Sequence, residues 1–345
     1  MKTFLSIATA ASSLVSMLAM AALASPVLAQ SASTGSGQAT STGSGRAYPV
    51  KPIRLIVPFP PGGAVDAIGR IIGQKLGESF GHNVVIDNRG GAAGAIGSEL
   101  AAHSPPDGYT LLVGSTSTIS INPALNTKLA YHPKRDFVPV SLVGFVPHVL
   151  LVNAAVPANN IREFVAYAKT QKKPLTYASV GTGSPHHLAG EIFKGMTGID
   201  MVHVPYTGSG PALIGLIGGQ VQFLSLDMPA ALPQIGGGKV KALGVASAKR
   251  DPLLPDVPTA GESGLPGFEI SGWYGIFAPA KTPPEIVAKL AAEIGRLLIT
   301  PEVRANLAKI GVNVLGGTPQ EFAAYIGRED AKWTKAIRDS GTKID

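Results

Sequence analysis

The sequence predicts an α/β protein with two lobes and a cleft between them. Short apolar runs alternate with segments whose apolar residues recur at helical spacing, which is typical of parallel strands connected by helices. The apolar stretch Phe137–Asn153 separates two such blocks. A second apolar stretch, Ile270–Ala280, is interpreted as the return from the second block to the first. Two crossings between two α/β blocks leave a cleft that a hinge motion can close.

The first 47 residues are expected to lie outside this fold. Lys2 precedes the apolar segment Phe4–Leu23, and Val27-Leu28-Ala29 supplies the small residues of a cleavage site, so residues 1–29 are interpreted as a secretory signal peptide. Residues 30–47 are rich in Gly, Ser and Thr, cannot bury an apolar core, and are expected to form a flexible leader. We therefore predict an exported protein that folds from Tyr48 onward.

Each block reads as strands followed by helices. The first block predicts strands at Ile53–Phe59, Val84–Ile86 and Tyr109–Val113, with helices at Val65–Phe80 and Gly94–His103. The second predicts strands at Leu175–Val180, Val202–Pro205, Val221–Leu226 and Val240–Ala246, with helices at Pro185–Thr197 and Pro211–Ile217.

The two apolar stretches and the C-terminal segment complete the domain organisation. Phe137–Asn153 is longer than an ordinary strand and is interpreted as a crossing between lobes. Helix starts of the Thr-Pro type follow at Thr282, Thr300 and Thr318, the first and last as capping boxes. The predicted first lobe comprises residues 48–145 and 271–345, and the second comprises residues 146–270.

Composition excludes several function classes. The chain has no cysteine, so disulfides, thiol catalysis and thiolate-bound metals are ruled out. The formal net charge is +7, or +6 without Lys2, and the basic residues are scattered. Nucleic-acid binding needs a concentrated basic stripe, so it is not expected.

The turn Pro58–Asp66 is the first candidate for a binding site. Gly62 and Gly63 allow a tight turn from a strand into a helix, where unpaired backbone amides attract anions. An ordinary strand-to-helix turn explains this segment equally well. Asp66 is expected to cap the helix.

Three further turns have the same character. Gly114–Pro123 carries five hydroxyl side chains after a strand, and we expect Ser115 and Thr116 to face the cleft. Ser179–His186 and Val204–Pro211 repeat the pattern in the second block. None of the four turns contains Lys or Arg, which favours recognition of an anion by neutral hydrogen-bond donors from both lobes.

Several other residues have chemistry that could suggest a site. Asp227 follows an apolar strand, where it either contacts an amine or hydroxyl of a solute or caps the next turn. The adjacent His186 and His187 diverge on a helix, so no metal site is predicted. Trp273 and Tyr274 are expected in the core. Gly261-Glu-Ser-Gly264 resembles a nucleophile loop but lies in a Pro- and Gly-rich linker, so a turn is expected.

Several ordered segments resemble the Bug-type substrate-binding proteins of tripartite tricarboxylate transporters, from about Tyr48 to the C-terminus. The matching segments include Tyr48-Pro-Val-Lys-Pro-Ile-Arg54, Val57-Pro-Phe-Pro-Pro-Gly-Gly63, Val85-Ile-Asp-Asn-Arg-Gly-Gly91, Pro106-Asp-Gly-Tyr-Thr110, Asp136-Phe-Val-Pro-Val140, Gly181-Thr-Gly-Ser184, Val204-Pro-Tyr206 and Leu254-Pro-Asp-Val-Pro-Thr259. The resemblance implies a periplasmic, two-lobe Venus-flytrap fold without catalytic activity or cofactor. It also implies a monomer that delivers a small carboxylate, such as a di- or tricarboxylate or terephthalate, to membrane subunits.

The resemblance further implies where the ligand carboxylate binds. It would meet the turns of both lobes, partly through ordered waters. The expected ligand-binding residues, with Asp227 added from its position, are Phe59, Gly62, Gly63, Ala64, Val65, Ser115, Thr116, Ser117, Ser120, Thr182, Gly183, Ser184, Tyr206, Thr207, Gly208 and Asp227.

Two other functions remain as alternatives. A solute-sensing protein that signals to a membrane kinase would share this fold and site. A periplasmic hydrolase with an exposed serine such as Ser184 is less favoured, because the sequence offers no evident His-Asp partners and no nucleophile-elbow motif.

Overall fold

The structure is a computed structural model that describes residues 48–342. The predicted signal peptide and leader lie outside the described residues. The strands are β1 Ile53–Val57, β2 Val84–Asn88, β3 Thr110–Ser115, β4 Phe137–Asn153, β5 Leu175–Ser179, β6 Met201–Pro205, β7 Phe223–Asp227, β8 Val240–Val245, β9 Ser271–Pro279 and β10 Asn313–Val314.

Helices follow most of these strands. They are α1 Ala64–Phe80, α2 Ala95–Ala102, α3 Asn122–Leu125, α4 Pro133–Asp136, α5 Ile161–Thr170, α6 Pro185–Thr197, α7 Ser209–Ile217, α8 Met228–Gly236, α9 Pro284–Leu298, α10 Pro301–Ala308 and α11 Pro319–Ser340. A 3₁₀ turn at Ala92–Gly94 precedes α2, and a π-helix at Thr116–Ile121 follows β3.

The strands form one continuous path in the order β2-β1-β3-β9-β4-β7-β5-β6, with β8 and β10 also paired to β4. β1 is parallel to β2 and β3, and β5 is parallel to β6 and β7. Parallel neighbours need a crossover connection. The predicted βαβ steps through α1 and α6 are therefore confirmed.

β4 differs from its prediction. The stretch Phe137–Asn153 is a single strand of 17 residues, so the interpretation that it was too long for one strand is wrong. Its first part pairs with β9 as far as Pro147, and its second part pairs with β7 from His148 onward. The strand is long because it serves both halves of the sheet, which we call the β1 half and the β5 half.

The C-terminal helices show how local sequence sets helix starts. Thr318 forms a capping box with Glu321, and Thr300 accepts a hydrogen bond from the amide of Val303, as predicted. The capping box predicted at Thr282 is wrong. Its hydroxyl donates to the Pro279 carbonyl at 2.7 Å, and α9 begins two residues later without a side-chain cap.

The core continues through both halves of the sheet. Helix α11 carries Phe322 into a buried cluster with Trp273 of β9, close to the β1 half. Further along the same helix, Trp333 belongs to the buried cluster that contains Phe193 of α6, beside the β5 half. Both α11 and β4 thus connect the two halves.

Candidate functional site

A narrow cavity lies where the turns after β1, β3, β5 and β6 meet the ends of β7 and β9. A water-sized sphere can occupy about 30 Å³ of it, which is room for only a few water molecules in this conformation. The lining residues are Phe59, Pro60, Gly63, Ala64, Val65, Ser115, Thr116, Ser117, Val180, Pro185, His186, Ser209, Asp227, Gly272 and Tyr274.

Half of the sixteen predicted ligand-binding residues line this cavity. They are Phe59, Gly63, Ala64, Val65, Ser115, Thr116, Ser117 and Asp227. The other predicted residues do not line it: Gly62, Ser120, Thr182, Gly183, Ser184, Tyr206, Thr207 and Gly208. Sequence reasoning missed Pro60, Val180, Pro185, His186, Ser209, Gly272 and Tyr274.

The start of α1 contributes backbone amides. Gly63 is its N-cap in an extended conformation and has no side chain to satisfy the first amides. The amide of Ala64 donates to Oδ2 of Asp227 at 2.8 Å. Within residues 48–342 the amides of Gly63 and Val65 have no hydrogen-bond partner.

Asp66 does not cap α1 in the way the sequence suggested. Its Oδ2 accepts from the amide of Gly62 at 3.1 Å, before the helix starts, and its Oδ1 accepts from Asn88 at 3.0 Å. Burial alone would raise the pKa of this carboxyl, but hydrogen bonds from Arg70, Asn88 and Gly62 hold it below its usual value. Asp66 therefore stays ionised and fastens the turn.

The hydroxyls after β3 mostly hold the loop itself. Ser115 caps the π-helix by accepting from the amide of Thr118, and Ser117 donates to the Ala93 carbonyl at 2.9 Å. The hydroxyl oxygen of Thr116 accepts from the amide of Trp273 at 2.7 Å. Ser115 and Thr116 nevertheless line the cavity, as expected.

Asp227 is the best-connected side chain of the site. It is 1% exposed and accepts from Ala64, from Nε2 of His186 at 3.0 Å and from the hydroxyl of Ser209 at 3.1 Å. Burial alone would raise the pKa of this carboxyl, but its contacts with His186 and its hydrogen bond from Ala64 lower the pKa. The role of capping the next turn is wrong, because the Asp227 side chain makes no cap hydrogen bond with α8 and instead accepts from the start of α1 across the cavity. Contact with a solute stays a prediction.

Two histidines are neighbours of Asp227: His186 is its hydrogen-bond partner, and His148 lies opposite it on β4. The rings of His186 and His148 lie 4.5 Å apart between centroids, and Nδ1 of His148 is 3.0 Å from the hydroxyl of Ser225. Complete burial, with the charge of His186 nearby, holds the pKa of His148 well below its usual value. Among the described residues, Nδ1 of His186 and Nε2 of His148 have no hydrogen-bond partner.

Tyr274 was expected in the core but also reaches the cavity. It is 4% exposed, and its hydroxyl makes no hydrogen bond within the described part of the chain. Burial and the charge of Asp227 hold its pKa well above 10, so it keeps its proton. A protonated phenol is a hydrogen-bond donor to an incoming acceptor.

The turns after β5 and β6 act mainly as supports. Ser184 caps α6 by accepting from the amide of His187 at 3.3 Å and donates to the Gly181 carbonyl at 2.7 Å. The residues that reach the cavity come one or two positions later, at the first turn of each helix, where His186 and Ser209 lie. A search of first helical turns would have found both.

The charge balance of the lining is unusual for an anion site. No Lys or Arg lines the cavity, and Asp227 is its one acidic residue. Two like unit charges 4 Å apart repel by about 4 kcal/mol at an effective dielectric constant of about 20. An anion here would be held by amides and hydroxyls and opposed by Asp227.

Comparisons with known proteins agree with this architecture. The family described as "Tripartite tricarboxylate transporter family receptor" matches residues 68–342. Protein BugT of Bordetella pertussis is 37% identical over 298 residues, which are 86% of this chain and 91% of BugT. No helix within residues 48–342 has the length and hydropathy of a membrane span.

Two solved structures are similar throughout the described part. The structure of R. palustris Rpa4515 with adipate has a TM-score of 0.83 and 35% identity, and it covers 85% of this chain and 98% of that one. MatC from Rhodopseudomonas palustris with bound malate has a TM-score of 0.79 and 37% identity. The match covers 84% of this chain and 100% of the MatC chain.

The fold and the cavity between the two halves of the sheet define a binding protein of the periplasmic type. The chain belongs to the tripartite tricarboxylate transporter receptor family, which includes the Bug proteins. A similar solved structure, with 34% identity and a TM-score of 0.82, is that of the periplasmic binding protein BugD.

Proposed function

We propose that this protein captures a small organic carboxylate in the periplasm and delivers it to the membrane subunits of a tripartite tricarboxylate transporter. Family membership supports the delivery step, and the adipate and malate of two similar structures support the class of solute. The observation that carries the proposal is the start of α1, where the amides of Gly63 and Val65 have no partner among the described residues, the N-cap residue Gly63 has no side chain to occupy them, and both residues line the cavity.

The carboxylate would bind between the two halves of the sheet. Its donors would be the amides of Gly63 and Val65 and the hydroxyl of Tyr274, with hydroxyls of the β3 turn contributing through water. We propose lobe boundaries near residues 145 and 270; the change of partners of β4 between Pro147 and His148 and the start of β9 at Ser271 support them. Helix α11, which belongs to the proposed first lobe, reaches the buried cluster of the second lobe. It would therefore have to accommodate any movement of one lobe relative to the other.

The location rests on the family and on the predicted signal peptide. Mass spectrometry of the N-terminus of the exported protein tests cleavage after Ala29. A mature protein that still begins at Met1 would contradict it.

The binding test uses the chain from Tyr48 onward and isothermal calorimetry. The panel contains succinate, malate, citrate, adipate and terephthalate, with the corresponding methyl esters as neutral controls. We expect at least one acid to bind, its ester to bind far more weakly, and the radius of gyration in solution scattering to decrease on binding. Failure of every acid to bind to a folded sample would contradict carboxylate binding.

Delivery needs a separate test. Uptake of the acid that binds most tightly should require both this protein and its membrane subunits in cells or vesicles. Equal uptake without this protein would contradict a transport role while leaving solute binding intact.

A further inference from the structure

We propose that Asp227 selects solutes that carry a hydrogen-bond donor beside the carboxylate, that is, 2-amino acids before 2-hydroxy acids and both before unsubstituted acids. This inference rests on the proposed function, since it concerns which carboxylate the same cavity accepts.

The first step concerns the free capacity of Asp227. A carboxylate has about four acceptor positions. Three are used by Ala64, His186 and Ser209, and the side chain still lines the cavity. One position therefore remains for a donor on the solute.

The second step concerns where the solute carboxylate lies. Its expected donors are the amides of Gly63 and Val65, and the amide between them, that of Ala64, already points to Asp227. A solute carboxylate on these amides consequently lies against the Asp227 carboxylate. Because no Lys or Arg lines the cavity, nothing in the lining other than His186 could offset this repulsion.

The third step compares possible solutes. An unsubstituted acid adds a second negative charge and leaves the remaining acceptor position of Asp227 empty. A 2-hydroxyl group supplies a hydrogen bond without charge. A 2-ammonium group supplies a charged hydrogen bond one carbon away from the solute carboxylate. It would fill the free acceptor position of Asp227 and offset the repulsion between the two carboxylates.

A proton taken up by the histidines is the competing explanation. The ionisable groups that face Asp227 are His186 from α6, His148 from β4 and Tyr274 from β9, while α1 and α7 contribute the amide of Ala64 and the hydroxyl of Ser209. If His186 offset the charge of Asp227, unsubstituted acids would bind as tightly as amino acids.

The test compares acids of equal length that differ at carbon 2 only. Calorimetry would use succinate, malate and aspartate, then glutarate, 2-hydroxyglutarate and glutamate, then adipate, 2-hydroxyadipate and 2-aminoadipate. In the length that binds best, we expect the 2-amino acid to bind at least tenfold more tightly than the unsubstituted acid, with the 2-hydroxy acid between them.

The variant Asp227→Asn keeps the shape and removes the charge. We expect it to bind unsubstituted acids more tightly than the wild-type protein and 2-amino acids at least tenfold more weakly. Asp87→Asn is the matched control. Asp87 lies on β2, pairs with Arg54 and Arg89 and does not line the cavity, so this variant should leave both affinities unchanged. If Asp227→Asn does not fold, the order of the wild-type affinities for the unsubstituted, 2-hydroxy and 2-amino acids decides whether the proposal holds.

The outcomes separate the two proposals. Unsubstituted acids that bind the wild-type protein as tightly as their 2-amino analogues would overturn the role of Asp227 and leave carboxylate binding standing. If no acid of any series bound, the proposed function would fail, and the selection rule would fail with it.

Discussion

The starts of α1 and α6 lie on opposite sides of the cavity and use their first amides differently. At α6 the N-cap is Ser184, whose hydroxyl accepts from the amide of His187. At α1 the N-cap is Gly63, and the amide of Ala64 is satisfied by Asp227 from across the cavity. Glycine- and serine-rich turns looked equivalent in the sequence. The difference teaches that a turn offers amides to a ligand only when its own cap residue has no acceptor.

The largest expected effect comes from filling the start of α1. A Cβ atom at Gly63 would lie 2.8 Å from the hydroxyl oxygen and 3.2 Å from the Cβ atom of Ser209, so Gly63→Val should displace this side chain, crowd the amides at the start of α1 and weaken carboxylate binding at least tenfold. Gly295→Val in α9 is the control, because a Cβ atom there meets nothing within 4 Å. Calorimetry measures both. Equal affinities of Gly63→Val and the wild-type protein would disprove the role of this turn.

The histidines on the α6 side predict a dependence of stability on pH. Burial lowers the pKa of His148 well below 6.5, lowers that of His187, and lowers that of His203 to about 4. The unfolded chain binds these protons near pH 6.5 and the folded chain does not, so stability present at pH 7 is lost as the pH falls below 6.5. The slope is at most roughly 1.4 kcal/mol per pH unit for each histidine.

Urea denaturation between pH 7 and pH 4.5 measures this dependence. His203→Asn should make the decrease shallower, because one neutral histidine is removed. An identical pH profile in the variant and in the wild-type protein would count against the explanation.

Removing the cap of α6 should affect stability and not binding. Ser184→Ala loses the hydrogen bond to the amide of His187 and the one to the Gly181 carbonyl, which should cost about 1 kcal/mol. Since Ser184 does not line the cavity, carboxylate affinity should change less than twofold. A large loss of affinity at unchanged stability would mean that this turn contacts the ligand directly.

Tyr274→Phe should give the reverse result. The phenol has no hydrogen-bond partner among residues 48–342, so its loss should leave stability within about 0.5 kcal/mol. Affinity for the carboxylate should fall by about fivefold, because a donor hydrogen bond is worth about 1 kcal/mol. Unchanged affinity would exclude the phenol as a ligand group.

The fold could be predicted where local patterns decide it. The short buried strands β1 and β5, with the Gly-containing turns after them, were readable because each strand is bounded by strong turn residues. β4 was not, since its length depends on pairing with β9 and β7, which lie far away in the sequence. Local composition does not show that one strand serves two halves of a sheet.

The site was predictable to the level of its turns. Glycine and hydroxyl residues after strands led to Gly63 and Ser115, and the position after β7 led to Asp227. His186 was considered as a metal ligand and set aside, because only the packing of α6 against β7 shows that it meets a carboxylate. Tertiary contacts decide which side chain of a helical turn enters a cavity.

The unbroken course of β4 has a mechanical consequence. Because one strand is hydrogen-bonded into both halves of the sheet, the halves cannot slide past each other and can only flex about the place where its neighbours change. His148 is the first residue beyond that place, and its ring lies against His186, the partner of Asp227. We therefore expect any strain that a bound solute exerts on Asp227 to reach this place in the sheet through the two neighbouring, tilted imidazole rings.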